Sequence, residues 1–177
     1  MAFLLFLVFF VLPIGVIAYM RYKNRYISQS PWQHFFDNFQ FSTQDFYSQV
    51  VEAIKKRQIP NLEIDRESFF ETHIASARRE YLRIRRGENV YYICSAPFGT
   101  GSFVSNWACV RREHFWEYIP LVSWLLAKSR NSKTFYQQDT QAMYRAVVHT
   151  AVMEVLDGLT EAKGIRGLTE LEKQYKD

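Results

Sequence analysis

An unbroken apolar run opens the chain, and apolar residues recur in helical and strand periods after it. Residues 2–20 read AFLLFLVFFVLPIGVIAYM, nineteen residues without a charged side chain. As a helix this run spans about 28 Å, close to the roughly 30 Å hydrocarbon core of a bilayer. Pro13 and Gly15 are compatible with this, because both residue types are common in membrane helices. The pattern therefore predicts a transmembrane anchor over residues 1–21.

Two other structures could account for the N-terminal run. A cleaved signal peptide usually has basic residues before its apolar core and a small-residue cleavage site after it, and the sequence has neither. A buried core helix is the other alternative, although a helix apolar on all sides seldom suits a small soluble domain. Arg21, Lys23 and Arg25 follow the run directly, so the positive-inside rule places the remainder of the chain in the cytoplasm.

Residues 22–41 form the predicted juxtamembrane segment. Ser30 suits the N-cap of a helix and Pro31 suits its first position. Aromatic residues then recur at helical spacing, at Trp32, Phe35, Phe36 and Phe39. This spacing predicts a short helix, which either packs on the following domain or lies among lipid headgroups.

A domain over residues 42–177 follows, and it begins with a predicted helix over residues 43–58. Ser42 is its N-cap, and Phe41 and Phe46 form a hydrophobic staple across that cap. Pro60 prevents the helix from continuing. The apolar stripe expected to be buried consists of Phe46, Tyr47, Val50, Val51 and Ile54.

The following fifty residues alternate as the strands of an antiparallel meander. Gly87-Glu88 is a two-residue hairpin loop, which pairs Ile84 with Tyr91 and Leu82 with Ile93. These four side chains form the face expected to be buried. The opposite face is expected to be wet and carries Tyr81, Arg83, Arg85, Tyr92 and Cys94, and we place Trp107 between the sheet and a long C-terminal helix. The predicted strands cover residues 62–72, 77–86, 89–96 and 102–111.

The C-terminal part is predicted to be helical. Asp139 or Thr140 caps the long helix, over residues 140–157, and Gly158 and Gly164 are expected to break it. Its broad apolar face consists of Tyr144, Val147, Val148, Ala151, Val152, Val155, Leu156 and Leu159. Thr169 and Glu172 have the spacing of a capping box, which predicts a further short helix.

Two features are candidates for lipid or partner contact. Phe115–Leu126 is twelve residues long, too short to span a bilayer, and its tryptophans stand near lysine and arginine as at a bilayer interface. It either contacts lipid or a membrane partner or belongs to the core of the domain. The second feature is a cluster of arginines between residues 78 and 86. The candidate residues are Trp116, Leu121, Trp124, Leu125, Arg83 and Arg85.

The arginine cluster could have several partners. An exposed face of arginine and tyrosine could simply pack across strands, or contact anionic lipid or an acidic protein. Nucleic acid is disfavoured, because the net charge is only +4 and the aromatic motif of a sheet-based RNA binder is missing.

No catalytic, metal or cofactor motif is recognisable in the sequence. The loop over residues 97–101 lacks the Lys-Ser/Thr pair and the helix of a phosphate-binding loop. None of the histidines has partners at metal-ligand spacing, and His149 is expected at the solvated edge of the long helix. Cys94 and Cys109 point to opposite faces or lie about 13 Å apart on one face, so free thiols are expected. We assign no catalytic residue, metal or cofactor.

The predicted fold is α+β, with an N-terminal transmembrane helix and a four-stranded antiparallel meander packed by a long C-terminal helix. The predicted function is that of a single-pass protein of the cell membrane whose cytoplasmic domain binds a protein partner, as a non-enzymatic subunit or adaptor. The alternative is a membrane-surface enzyme or small-ligand-binding domain that uses a cleft between the sheet and the long helix. An enzyme should show a deep pocket with convergent polar groups, whereas an interaction module should show an exposed apolar or charged patch.

Overall fold

A computed structural model of the chain describes residues 26–70, 78–111 and 134–175, together with Gly15, which is helical. The remainder of the predicted anchor therefore lies outside the described residues, and the anchor stays a prediction. Within the described part, no helix is long and apolar enough to cross a membrane. The chain separates into two compact units, Met1–Ile27 with Arg111–Asp139 and Ser28–Val110 with Thr140–Asp177. Most described residues belong to the second unit.

The described residues form an α+β fold with a five-stranded antiparallel sheet and a long C-terminal helix. The strand order is β1-β5-β4-β3-β2, so the meander of four predicted strands is present and a fifth strand is added beside β5. The elements are β1 (Tyr26–Phe36), α1 (Thr43–Lys55), β2 (Glu63–Phe70), β3 (Arg78–Arg86), β4 (Asn89–Phe98), β5 (Gly101–Arg111) and α2 (Phe135–Ala162).

The additional strand, β1, lies where the sequence predicted a short helix. Trp32 and Phe36 are buried, whereas Phe35 between them is 43% exposed, as the two-residue period of a strand requires. The helix prediction was wrong because these aromatic positions fit both periods, and pairing with β5 decides between them. Pro31 is tolerated because β1 is an edge strand, where a missing backbone donor can face away from the sheet.

The helix α1 begins where it was predicted and ends at Lys55, three residues before the predicted end. The Ser42 side chain accepts a hydrogen bond from the backbone N–H of Asp45 at 3.2 Å. The rings of Phe41 and Phe46 lie 5.6 Å apart, which closes the hydrophobic staple. The predicted stripe is buried, with Val51 only partly so, and it packs into the same core as the sheet.

The hairpin register of the meander is also confirmed. Ile84 is opposite Tyr91 and Leu82 is opposite Ile93, and all four residues are at most 2% exposed. We call the face that carries them the inner face. It packs against α1 and α2 in one hydrophobic core.

The opposite, outer face differs from its prediction. Tyr92 and Cys94 are buried, so this face is not uniformly wet. The β4–β5 turn pairs Phe98 with Gly101, which places Trp107 opposite Tyr92 on the outer face and not between the sheet and α2. By the same register Cys94 and Cys109 share the outer face four residues apart, and both are free, as predicted.

The long helix α2 exceeds its predicted bounds at both ends. Thr134 and Gln137 cap its start reciprocally, through backbone-to-side-chain hydrogen bonds of 3.1 and 3.3 Å, so neither Asp139 nor Thr140 is the cap. The helix passes through Gly158 and ends at Ala162. A glycine costs a helix about 1 kcal/mol relative to alanine, which the buried residues around position 158 offset. Gly164 lies beyond the helix with φ +65°.

Two leucines of the C-terminal part provide a matched test of this packing. Leu156 is fully buried, whereas Leu171 is 79% exposed. Leu156→Ala should lower the free energy of unfolding by about 2–5 kcal/mol, because it leaves a cavity in the core. Leu171→Ala should change it by no more than about 0.5 kcal/mol. Urea denaturation of the full chain in detergent measures both, and equal costs would mean that the face of α2 is misassigned.

Candidate functional site

The sequence-predicted contact residues divide into two groups in the structure. Trp116, Leu121, Trp124 and Leu125 lie outside the described residues, so the alternatives for Phe115–Leu126 remain predictions. Arg83 and Arg85 are described, on the outer side of β3, where each faces an acidic residue of β2.

Arg83 is the centre of a hydrogen-bonded ion-pair network. Its Nε donates to Asp65 Oδ1 at 2.7 Å, and one terminal nitrogen donates to Glu67 Oε2 at 2.6 Å. The Tyr92 hydroxyl donates to the same Glu67 oxygen at 2.9 Å. The hydrogen bonds that Arg83 donates to Asp65 raise the pKa of Arg83 above its ordinary value. The Arg83 side chain is therefore held by carboxylates of the neighbouring strand β2.

Arg85 is engaged in a similar way, because its terminal nitrogen donates to Glu63 Oε2 at 2.5 Å. The two-residue period of carboxylates at Glu63, Asp65 and Glu67 is visible in the sequence and predicts this pairing once the β2–β3 register is known. The arginine cluster is thus partly neutralised by its own sheet, which leaves Arg78 and Arg79 as its exposed members.

Exposed aromatic residues collect at one end of the sheet. Strands β1, β2 and β4 end there, and β3 and β5 begin there, so residues distant in sequence lie at the same end of the sheet. We call this set the aromatic rim: Phe35 (43% exposed), Phe69 (40%), Phe70 (47%) and Phe98 (71%).

Two arginines accompany the aromatic rim. The Arg78 guanidinium lies 5.7 Å from the ring centroid of Phe70. Arg79 lies beside Phe35 and Phe98, whose rings meet edge to face at 6.4 Å, and with them it lines an open cavity of about 400 Å³. Among the described residues neither arginine forms an ion pair with a carboxylate. The remaining residues of that cavity are Ala96, Pro97 and Phe103.

The aromatic rim could not be predicted from the pattern of the sequence. Phe35 was assigned to a helix, and Phe98 lay in a predicted loop, so no periodicity joined them. Only the pairing of β1 with β5 brings the end of β1 to the β4–β5 turn. The two backbones approach closely there, because a Cβ added to Gly101 would lie 2.2 Å from the Phe36 carbonyl oxygen. This close approach requires glycine at position 101.

A second open groove, of about 510 Å³, lies between α1 and β2. Val51, Ile54, Ile59, Leu62 and Ile64 supply its apolar lining. Its charged residues are Lys55, Asp65 and Arg66, of which Asp65 is bound to Arg83 and Arg66 to Glu80. The groove therefore has no set of convergent acid–base groups among the described residues.

The third site lies where the C-terminal segment folds back along α2. We call residues 165–175 the tail. The indole Nε1 of Trp32 donates to the carbonyl oxygen of Glu172 at 2.7 Å, and His149 Nε2 lies 2.6 Å from the carbonyl oxygen of Lys173. A carbonyl only accepts, so His149 carries its hydrogen on Nε2. The Lys173 ammonium also pairs with Asp157 of α2 at 2.8 Å.

Tyr175 ends the described tail in a polar pocket, here called the tail pocket. The ring of His149 packs 4.4 Å from that of Tyr175, and the Arg145 guanidinium lies 3.9 Å from the Tyr175 centroid. Asn106 Nδ2 donates to the Tyr175 hydroxyl at 3.5 Å, which is a long hydrogen bond. The tail pocket consists of Trp32, Tyr91, Asn106, Arg145 and His149.

Two buried atoms of the tail pocket have no hydrogen-bond partner among the described residues. They are Asn106 Oδ1 and His149 Nδ1, and Asn106 is fully buried. Burial lowers the pKa of His149, and the Arg145 cation lowers it further. The expected solvated position of His149 was wrong, because a sequence pattern on one helix cannot show that the tail folds back over it.

The capping box of the tail forms without the helix predicted for it. Thr169 N–H donates to Glu172 Oε2 at 2.8 Å, and Glu172 N–H donates back to Thr169 Oγ1 at 3.3 Å. The first of these bonds is the main cause that lowers the pKa of Glu172 to about 2. Residues 170–173 form a turn in place of the predicted helix. The box thus shapes the backbone whose carbonyls contact Trp32 and His149.

Comparisons with known proteins identify no family. No family model and no curated protein matches the chain. One solved structure that the chain resembles is the di-domain ARO/CYC StfQ from the steffimycin biosynthetic pathway, at 10% identity and a TM-score of 0.31. The match covers 82% of this chain and 55% of that one, so the chain spans about half the length of that protein. A likeness at this TM-score supports no inference about function. Among the described residues no group of histidine, cysteine and carboxylate side chains could hold a metal ion.

The Arg83 network predicts a stability difference between two neighbouring arginines. Arg83→Met should lower the free energy of unfolding by about 1–2 kcal/mol, because it leaves Asp65 and Glu67 without their shared partner. Arg85→Met, which loses a pair with the largely exposed Glu63, should cost no more than about 0.5 kcal/mol. Chemical denaturation at low and high salt measures both. Equal small costs would show that the network contributes nothing.

The environment of His149 predicts a pH dependence of tail docking. The pKa of His149 in the fold is lowered from its ordinary 6.5, so protonation is less favourable when the tail is docked. The stability supplied by the neutral ring is therefore present above pH 6.5 and is lost as the pH falls below it. NMR titration of the ring should give a pKa below 6.5 that rises towards 6.5 in Tyr175→Ala. A wild-type value of 6.5 or more would contradict the docked arrangement.

Proposed function

We propose that this chain is a single-pass membrane protein that presents a cytoplasmic interaction domain, as a non-enzymatic subunit or adaptor of a membrane-associated complex. The aromatic rim is the observation that supports this proposal. Four large aromatic side chains, each at least 40% exposed, gather at one end of the sheet. Large exposed apolar patches of this kind commonly mark interaction sites.

The composition of the aromatic rim indicates the kind of partner. Aromatic residues and arginine are enriched at the centres of protein interfaces, where they supply most of the binding energy. Arg78 and Arg79 have no carboxylate partner among the described residues, so a partner with acidic residues beside apolar ones would complement the rim. A protein segment of that composition is the proposed partner.

An anionic lipid surface would satisfy the same charges, but the chain order favours a protein. The predicted anchor precedes β1, whereas the aromatic rim lies where β1 ends. The strand β1 has eleven residues and is roughly 33 Å long. Phe35 and Phe98 therefore lie at the end of β1 opposite to the end that follows the predicted anchor in sequence. Nucleic acid is not proposed, because carboxylates of β2 engage Arg83 and Arg85.

The enzymatic alternative has less support in the described residues. Burial is the main cause that raises the pKa values of several tyrosines, Tyr91 and Tyr144 among them. Tyr144 donates to the carbonyl oxygen of Ile84, and its ring packs 5.3 Å from that of Tyr91, which accounts for both as core residues. The cleft between the sheet and α2 is filled at this point.

Site-specific photo-crosslinking in the full chain tests the proposal. A photoreactive phenylalanine analogue at position 98 or 70, in cells that express the protein, should give a discrete crosslinked protein. The same analogue at Leu171, which is equally exposed but outside the rim, should not. Arg79→Glu should reduce the crosslink at position 98 by about tenfold if the partner is acidic.

Two outcomes would contradict the proposal. Crosslinks from the aromatic rim to lipid alone would show that the rim binds the bilayer. Equal crosslinking from positions 98 and 171 would show that the rim has no preferred partner. A fusion reporter after Asp177 tests the orientation separately, and activity outside the cytoplasm would overturn it.

A further inference from the structure

The tail pocket lies beside the filled part of the cleft between the sheet and α2, and the Tyr175 side chain occupies it. We infer that the tail pocket binds an electron-rich aromatic ligand with at least two hydrogen-bond donors, and that Tyr175 occupies the pocket in its place when the ligand is absent. This site is separate from the aromatic rim, so its ligand is independent of the proposed partner.

The walls of the tail pocket select an electron-rich ring. The Arg145 guanidinium lies 3.9 Å from the centroid of the Tyr175 ring, within the range of a cation–π contact. The imidazole of His149 packs on the same ring at 4.4 Å, and Trp32 meets His149 edge to face at 5.9 Å. A cation at a ring face is stabilised most by an aromatic system of high electron density, such as a phenol or an indole.

The polar atoms of the tail pocket call for more donors than Tyr175 supplies. Asn106 is fully buried, and its Nδ2 points at the Tyr175 hydroxyl, yet its Oδ1 has no partner among the described residues. His149 Nδ1 is buried and likewise without a donor. A buried acceptor without a hydrogen bond costs free energy that a ligand recovers by supplying a donor. A ring with two donors therefore fits the pocket better than Tyr175 does.

The connections of the tail allow it to leave the pocket. Residues 163 and 164, which link it to α2, and the first three residues of the tail are all exposed. The tail contributes one buried apolar residue, Leu168, and is otherwise held mainly by hydrogen bonds and ion pairs. The Tyr175 side chain is thus an internal occupant of the tail pocket that an external ligand can displace.

Three ring compounds with the shape of the tyrosine side chain test the inference in the full chain with Tyr175→Ala. Toluene has no donor, 4-methylphenol has one and 4-methylcatechol has two. Isothermal titration should show that 4-methylcatechol binds about five- to tenfold more tightly than 4-methylphenol, as one added hydrogen bond allows, and that toluene binds least. Asn106→Leu in the same background should abolish the preference for 4-methylcatechol.

The wild-type chain supplies the second readout. 4-Methylcatechol should accelerate trypsin cleavage after Arg166 and Lys173, because it releases the tail, and Gln174→Ala, at an exposed neighbour of Tyr175, should behave like wild type. If Asn106→Leu does not fold, Arg145→Gln replaces it, and it should weaken all three ring compounds while it preserves their order. Equal affinities for 4-methylphenol and 4-methylcatechol in Tyr175→Ala would overturn the inference. So would a wild-type tail that stays protected at saturating 4-methylcatechol.

Discussion

The structure depends on the burial of one face of a twisted antiparallel sheet. Leu82, Ile84, Tyr91 and Ile93 make the centre of the inner face largely apolar, so it must be covered. The helices α1 and α2 both pack on it, and Tyr47 of α1 and Tyr144 of α2 each donate a hydrogen bond to a backbone carbonyl of β3. The side nearest β1 carries Asn106 and Trp32 and is completed by the tail.

The two faces of the sheet serve different purposes as a result. The inner face supplies the hydrophobic core, whereas the outer face is held by cross-strand pairs between carboxylates of β2 and arginines of β3. This pairing neutralises the middle of an arginine cluster that looks like a binding surface in the sequence. The charges that remain exposed lie at the end of the sheet, beside Phe70 and Phe98. The interaction surface is proposed there for that reason.

Local sequence signals predicted the parts of the fold that local contacts determine. The cap at Ser42, the staple between Phe41 and Phe46 and the hairpin at Gly87 each involve residues close in sequence, and each is present. The strand β1 was missed because Trp32 and Phe36 fit a helix equally well until β5 is beside them. The end of α2 was misjudged because packing around Gly158 outweighs the helix propensity of one residue.

The candidate sites were predicted less well than the fold, and the reason is the distance along the chain between their members. Trp32 and Glu172 are 140 residues apart, and His149 meets Lys173 only because the chain reverses after Ala162. No periodicity within one element reports such a contact. Arg83 was correctly placed on the outer face, but its partners Asp65 and Glu67 required the β2–β3 register. The pattern of carboxylates on β2 was the available signal.

Amide hydrogen exchange of the tail tests the central claim most directly, because the inner face is completed only if the tail is docked. The account predicts that the amides of Glu172, Lys173 and Gln174 exchange measurably more slowly than that of Thr100 in the exposed β4–β5 turn. Protection should fall to the level of Thr100 in Trp32→Phe, which removes the indole donor to Glu172. Tail amides that exchange as fast as Thr100 in the wild-type chain would contradict the account.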